Sequence, residues 1–155
     1  MNDRDLQPRG RPDRHRDGPG TIVVGVDGSD SSLHAAAYAA GMARRQGSRL
    51  IAVYVRTLSA PAMPLAGAAN AVIESQDAVE RELRAAIDQR VATHGIDVQL
   101  VVRTGEPYAE LVGVAEETHA DAVVVGRSTK MLHRVAGSLA VKLVRAGRWP
   151  VTVVP

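Results

Sequence analysis

The sequence predicts an α/β protein built on a single doubly wound sheet of five parallel strands. Five short runs rich in Val, Ile and Leu predict strands, and four stretches with apolar residues at helical spacing lie between them. Strands that alternate with helices are joined by right-handed crossovers, which place helices on both faces of one sheet. A chain of 155 residues, 45% of them hydrophobic, is long enough for one such core. The predicted strands are residues 21–26, 50–55, 98–102, 122–126 and 150–154.

The first strand and helix have clear start and stop signals. TIVVGV is an apolar run that ends at Asp27, as expected of a strand buried on both faces. The residues SDSS offer N-cap side chains, with Asp30 as the favoured cap, and Gly47 ends the alanine-rich helix that follows. The predicted buried stripe of this helix consists of Leu33, Ala36, Ala37 and Ala40.

The middle of the chain repeats the pattern with longer connections. LIAVYV predicts the second strand, and a loop rich in Pro, Ala and Gly runs from about residue 57 to 71. A charged helix follows, and VQLVV then predicts the third strand. Gly105 and Pro107 introduce the third helix, because proline suits the first turn of a helix. The charged helix has its apolar positions at Val72, Val79, Leu83, Ala86, Ile87 and Val91.

The last third of the chain contains a predicted anion-binding helix start. Asp121 is a predicted turn residue before the fourth strand, AVVVG, and Gly137-Ser138 opens the last helix before the fifth strand, PVTVV. Unpaired N–H groups at a helix start attract anions. Doubly wound sheets bind ligands outside the carboxyl ends of the strands, where the winding direction reverses. If the first strand neighbours the fourth, this point lies between Asp27 and Gly126.

The amino-terminal segment differs in composition from the rest. Residues 1–19 carry five Arg and four Asp with almost no apolar side chains, so burial cannot offset the entropy cost of ordering them. We therefore expect a disordered arm over residues 1–19 and one folded domain over residues 20–155.

Three sequence blocks together resemble one family. VGVDGSDSS after the first strand, AVYV in the second, and VVVGRS followed by GSLAVKLVRAGRWPVTVVP resemble the universal stress protein family over Thr21 to Val154. The resemblance implies a flavodoxin-like fold, similar to adenine nucleotide alpha hydrolases, with strand order 3-2-1-4-5. It also implies a homodimer formed through the last strand, Val151–Val154. Some members bind ATP or a related adenine nucleotide and others do not.

The resemblance also implies roles for individual residues. Asp27 matches the acidic residue near the ribose and phosphates, and Val55 matches the residue that contacts adenine. Gly126 matches the first glycine of the phosphate loop, and Gly137 and Ser138 match its last two positions. The predicted nucleotide site consists of Gly25, Val26, Asp27, Val55, Gly126, Arg127, Thr129, Gly137 and Ser138.

The phosphate loop departs from the family pattern at two points. Thr129 stands where nucleotide-binding members have glycine, and seven residues rather than nine separate it from Gly137. A β-branched residue resists the backbone angles that glycine permits, and a shorter loop narrows the cradle. Arg127 and the loop residues Lys130, His133 and Arg134 add positive charge that can bind phosphate. A solvated basic loop and a phosphate-binding loop remain equal alternatives.

Composition and missing motifs exclude several other functions. The chain has no cysteine and its five His are scattered, so no metal site is expected. A net charge of +2 and few aromatic side chains argue against a nucleic-acid partner. No apolar run approaches the roughly 18 residues of a membrane span, so we expect a cytoplasmic protein without a membrane partner. The P-loop GxxxxGK[ST] and the G-x-S-x-G elbow are both absent, which argues against an enzyme.

Two functional hypotheses follow from these observations. The first is a stress-response regulatory module that binds ATP or another adenine nucleotide at the switch point. The second is a nucleotide-free, dimeric interaction protein of the same fold, whose phosphate loop is altered at Thr129 and shortened by two residues. Slow ATP hydrolysis is a distant third alternative.

Overall fold

The computed structural model describes residues 18–57, 68–127 and 139–155. Over these residues five strands form one parallel sheet in the order β3-β2-β1-β4-β5, which confirms the predicted fold class and strand order. Each predicted strand is present, although β2 and β3 are longer and β5 starts one residue later than expected. The elements are β1 (Thr21–Val26), α1 (Asp30–Gln46), β2 (Arg49–Arg56), α2 (Ala68–His94), β3 (Val98–Thr104), α3 (Pro107–Glu117), β4 (Ala122–Gly126), α4 (Leu139–Ala146) and β5 (Val151–Val154).

The sheet has a core on each face because side chains alternate along every strand. Ile22 and Val24 of β1 face α1 and α2, whereas Val23 faces α3 and α4. β1 lies at the centre, paired with β2 from Thr21 onward and with β4 through Val24 and Val124. This central position brings the carboxyl end of β1 between those of β2 and β4.

Helix α1 packs with a different face from the one predicted. Leu33 and Ala37 are exposed, whereas the buried residues are Ser32, Ala35, Ala39, Ala40 and Ala43. The predicted stripe is therefore wrong except at Ala40 and, in part, at half-buried Ala36. The physical reason is size, because a face of small side chains lets the helix backbone approach the sheet more closely than a face containing Leu33.

The cap of α1 also differs from the expectation. Ser29, not Asp30, is the N-cap: its Oγ accepts a 3.3 Å hydrogen bond from the N–H of Ser32. Asp30 is the first helical residue, where its negative charge interacts favourably with the helix dipole. At the other end Gly47 has a left-handed φ of 64° and ends the helix as predicted.

Helix α2 packs through its middle only. Leu83 is buried and Val79 and Ile87 are half-buried, which confirms the centre of the predicted stripe. The prediction is wrong at both ends of the stripe, where Val72 and Val91 are exposed, and at Ala86, which is also exposed. A helix of 27 residues spans about 40 Å, whereas the eight residues of β2 span about 26 Å. Much of α2 therefore has no sheet to pack against.

The start of the described chain is tied to the amino edge of the sheet. Asp121, predicted to be a turn residue, accepts hydrogen bonds from the N–H groups of Gly20 at 2.9 Å and Thr21 at 3.0 Å. The hydroxyl of Ser48 also donates to the carbonyl of Pro19. Most of the predicted disordered arm, residues 1–17, lies outside the described residues, so its disorder stays a prediction.

Candidate functional site

Three predicted site residues meet at the carboxyl edge of the sheet. Asp27 directly follows β1, Val55 is the penultimate residue of β2, and Gly126 is the last residue of β4. These three strands are neighbours, so their ends form one continuous edge at the switch point between β1 and β4. Thr129, Gly137 and Ser138 lie outside the described residues.

Asp27 builds the turn that leads into α1. Its carboxylate accepts hydrogen bonds from the N–H of Ser29 at 2.9 Å and from the hydroxyl of Ser29 at 2.5 Å. Its own N–H donates to the hydroxyl of Ser32 at 3.2 Å. The side chain is exposed at the edge of the sheet. Asp27 therefore has a structural role and at the same time presents a carboxylate to the candidate site.

The two residues before Asp27 contribute differently. Val26 is 5% exposed and its side chain packs in the core beneath α1 and α2, so only its backbone faces the site edge. Gly25 is half-buried, and a Cβ at this position would lie 3.6 Å from Leu111 and Val125 on the opposite face. That spacing is ordinary van der Waals contact, so the structure does not require glycine there.

Gly126 has a packing role that the sequence did not reveal. A Cβ at this position would lie 2.5 Å from the carbonyl oxygen of Ser31 and 2.9 Å from the N–H nitrogen of Ser32. The backbone at the start of α1 therefore occupies the space that any larger residue needs. The next residue, Arg127, donates its N–H to the carbonyl of Val154 at 2.7 Å and leaves its side chain exposed.

A charged cluster at the end of β2 is the part of the edge that sequence reasoning missed. Arg56 donates to Asp77 at 2.7 Å and to Glu80, and Arg84 donates to the other oxygen of Glu80 at 2.7 Å. Hydrogen bonds from Arg84 and then Arg56 lower the pKa of Glu80. The available signal was the i, i+3, i+7 spacing of Asp77, Glu80 and Arg84 on one face of α2.

Tyr54 lies beside this cluster. Its hydroxyl donates a long hydrogen bond of 3.5 Å to the carbonyl of Gln76, whose side-chain amide donates to the carbonyl of Thr57 at 3.0 Å. Burial is the main cause that raises the pKa of Tyr54; nearby Arg56 lowers it, and the carboxylates of Glu80, Asp27 and Asp77 raise it further. The carboxylates of Asp27 and of α2 therefore act on the same tyrosine.

Helix α2 forms a wall on the β2 side of the edge. A Cβ placed on Gly28, in the turn after β1, would lie 3.0 Å from Val79. Together with the contacts of Gln76, this places the segment 76–80 against the turns that follow β1 and β2. Gly28 has a φ of 82°, so this turn suits glycine for backbone reasons as well.

A second polar cluster joins α3 to α4. Glu106 is the N-cap of α3 and accepts hydrogen bonds from the N–H of Ala109 at 2.8 Å and from Lys142 at 3.3 Å. Burial raises the pKa of Glu106, but these hydrogen bonds outweigh it and the net pKa is lowered. Lys142 also lies 5.7 Å from the ring centroid of Tyr108. These contacts hold the first turn of α4 beside the start of α3.

Within residues 18–57, 68–127 and 139–155, no three His, Cys, Asp or Glu side chains are grouped so as to hold a metal ion. None of the helices described is both long and apolar enough to cross a membrane.

Comparison with known proteins identifies the family. The sequence profile of the universal stress protein family matches residues 19–155. A universal stress protein of Methanocaldococcus jannaschii is 30% identical over 136 residues, which cover 86% of this chain and 80% of that protein. The solved structure of the universal stress protein UspA from Lactobacillus plantarum is 30% identical with a TM-score of 0.69, and the match covers 87% of this chain and 97% of that one.

A further solved structure carries a ligand. It is a universal stress protein in complex with cAMP, 30% identical with a TM-score of 0.65, and the match covers 88% of this chain and 96% of that one. The sequence motifs, the strand order and these comparisons agree. The chain belongs to the universal stress protein family.

Proposed function

We propose that this protein binds an adenine nucleotide at the carboxyl edge between β1 and β4 and acts as a regulatory module in a stress response. The main support is the cAMP complex of a relative that is 30% identical over almost the whole domain. The geometry of this chain agrees with the proposal, because Asp27, Val55 and Gly126 lie at the ends of three neighbouring strands.

Each described residue has a chemical role in this proposal. A carboxylate has about four lone-pair sites, so Asp27 can accept a ribose hydroxyl while it holds Ser29. Half-buried Val55 offers an apolar surface to the base, and the exposed guanidinium of Arg127 can pair with a phosphate. The roles implied for Thr129, Gly137 and Ser138 remain predictions. The proposed role is ligand-dependent regulation and not catalysis.

The first test is to denature the purified protein and to chromatograph the supernatant for released nucleotide. Calorimetry with adenosine, AMP, cAMP and ATP then measures affinity, with GMP as the control for base selectivity. We expect binding of adenine compounds in preference to GMP. Absence of released nucleotide combined with no binding of any adenine compound at millimolar concentration would refute the proposal.

A variant pair tests the role of Asp27. Asp27→Asn keeps an oxygen that can accept from the N–H of Ser29 but loses the charge that strengthens a hydrogen bond from ribose. We expect adenosine affinity to fall about five- to tenfold, which corresponds to the difference of about 1 kcal/mol between a hydrogen bond to a charged acceptor and one to a neutral acceptor. Asp30→Asn, three residues away and also exposed, is the matched control and should bind as the wild type does. Equal effects of the two variants would contradict the assignment.

We also propose that the protein forms a homodimer through β5. In the described chain β5 pairs only with β4, so the N–H and C=O groups on its other side are open to a second copy. Val153 is 42% exposed on this edge strand. Antiparallel pairing of two β5 strands about a two-fold axis would satisfy both edges symmetrically.

Proline at position 153 tests this pairing because it removes a ladder donor and disfavours extended pairing. Light scattering should show a dimeric wild type and a Val153→Pro variant shifted toward monomer. Val153→Thr is the control, since it keeps the N–H and the β-branched shape. A monomeric wild type at micromolar concentration, or an unaffected proline variant, would contradict the β5 dimer.

The second candidate function is a nucleotide-free dimeric interaction protein of the same fold. Two observations favour it. Asp27 holds the turn into α1, and Gly126 accommodates the backbone of Ser31, so each has a structural role without any ligand. A stable dimer that binds no adenine compound would select this alternative over nucleotide binding.

A further inference from the structure

The carboxyl edge of the sheet has an uneven distribution of charge. On the β2 side, Asp77 and Glu80 of α2 lie against Arg56, and Asp27 directly precedes Gly28, whose backbone contacts Val79 of the same helix. Two carboxylates thus bind the guanidinium of Arg56, and Arg84 binds one of them as well. Asp27, Asp77 and Glu80 carry three negative charges against the two positive charges of Arg56 and Arg84, which leaves a net charge of −1 on this side of the edge. Such a region repels additional negative charge.

The α2 carboxylates are also held in place. Arg56 donates to both, Arg84 bonds the second oxygen of Glu80, and the Nε of Arg56 is buried without a hydrogen-bond partner within the described structure. The side chain of Glu80 is 17% exposed, which limits the screening of its charge by water. Because α2 contacts the turns after β1 and β2 through Val79 and Gln76, these charges keep a fixed position relative to Asp27.

We propose that Asp77 and Glu80 of α2 determine the charge selectivity of the nucleotide site by disfavouring ligands in proportion to their phosphate charge. This inference rests on the proposed function, since it concerns the same site. Arg56 and Arg84 contribute in the opposite direction, and the attraction of Arg56 for phosphate is reduced while Asp77 and Glu80 hold it. Helix α2 therefore acts as a specificity wall that favours the nucleoside end of the ligand over a long phosphate chain.

The test compares three ligands in a buffer without divalent cations. Adenosine carries no phosphate charge, AMP carries about two negative charges, and ATP carries more. For Asp77→Asn we expect unchanged adenosine affinity, AMP affinity raised roughly threefold to tenfold, and a larger gain for ATP. The gains should shrink as salt is raised, because the charges are then screened. Glu80→Gln should act in the same direction, and Arg56→Met should weaken AMP and ATP binding without affecting adenosine.

The matched control is Glu116→Gln, near the amino ends of the strands and opposite the carboxyl edge. Glu116 is 45% exposed and bound to Arg148, whereas Asp77 is 43% exposed and bound to Arg56, so Glu116→Gln changes the net charge equally in a similar setting. Arg148 precedes β5 and therefore lies at the amino ends of the strands. A strand length of about 15 Å separates it from the site, which exceeds the Debye length of about 10 Å at 0.1 M salt. Glu116→Gln should leave all three affinities unchanged.

The outcomes separate the two proposals. If no adenine compound binds, adenosine included, the proposed function fails and the inference fails with it. If the ligands bind and Asp77→Asn changes all three affinities equally, or changes none, the charge selectivity is refuted while nucleotide binding stands. A shift for adenosine alone would mean that Asp77 acts through the shape of the base pocket, which also overturns the inference.

Discussion

Helices α1 and α2 cover the same face of the sheet but are held by different forces. Helix α1 buries five small residues and brings its backbone against Gly126. Helix α2 is ten residues longer, yet Leu83 is its only buried residue among residues 69–94, and Arg56 ties it to the strand edge through ion pairs. The candidate site therefore lies between a helix fixed by close packing along its length and a helix fixed by a few apolar side chains in its middle together with ion pairs. Substitutions should disturb α1 at any buried position but α2 only at its few contact positions.

The largest expected effect concerns the close contact between the start of α1 and Gly126 of β4. Gly126→Ala would place a Cβ 2.5 Å from the backbone of Ser31, so either α1 or β4 must shift. We expect a loss of about 3 kcal/mol in the free energy of unfolding, the upper part of the usual range for overpacking. Gly113→Ala in α3 is the control: its Cβ would meet nothing within 4 Å, and alanine should stabilise that helix by about 0.5–1 kcal/mol. Urea titration measures the free energy of unfolding of both variants, and equal values would disprove the close contact between α1 and Gly126.

The single buried residue of α2 within residues 69–94 gives the second-largest expected effect. Leu83→Ala should lower the free energy of unfolding by about 2.5 kcal/mol, since it removes a 5% exposed side chain from the core beneath α2. Val91→Ala on the same helix should cost less than about 0.5 kcal/mol because Val91 is 40% exposed. Thermal unfolding distinguishes the two variants. Similar losses would mean that α2 is anchored along its whole length.

A matched pair of alanines compares the helices directly. Ala39→Leu in α1 adds volume at a fully buried position and should cost about 2 kcal/mol. Ala86→Leu makes the same chemical change at an exposed position of α2 and should leave stability within about 0.5 kcal/mol of the wild type. Chemical denaturation of both variants provides the measurement. A tolerated leucine at position 39 would contradict the tight packing of α1.

The smallest expected effect lies at the start of α2. Ile73 is 53% exposed, so Ile73→Ser should change the free energy of unfolding by no more than about 0.5 kcal/mol. Hydrogen exchange of residues 69–75 should likewise match the wild type. A marked destabilisation would show that this part of α2 is covered in solution, and the contrast between the two helices would then be smaller than the structure indicates.

The sequence alone was sufficient to predict the strands of the sheet and their order. Apolar runs bounded by glycine and charged residues located all five strands, and the family motifs implied the order β3-β2-β1-β4-β5. Because the carboxyl ends of parallel strands share one edge, the positions of Asp27, Val55 and Gly126 in sequence were enough to predict that they meet. The strand positions depend on periodicity, a local property of the chain, whereas the strand order and the choice of Val55 came from the family resemblance.

Only the tertiary structure decided how the helices meet that edge. An alanine-rich helix has no bulky stripe to mark its buried side, so the rotation of α1 follows from contact with the sheet and leaves Leu33 exposed. The pairing of Arg56 with Asp77 and Glu80 joins residues 21 and 24 positions apart, and it depends on where β2 ends relative to α2. Periodicity carries no information about such long-range placement, because the packing of helix against sheet determines it.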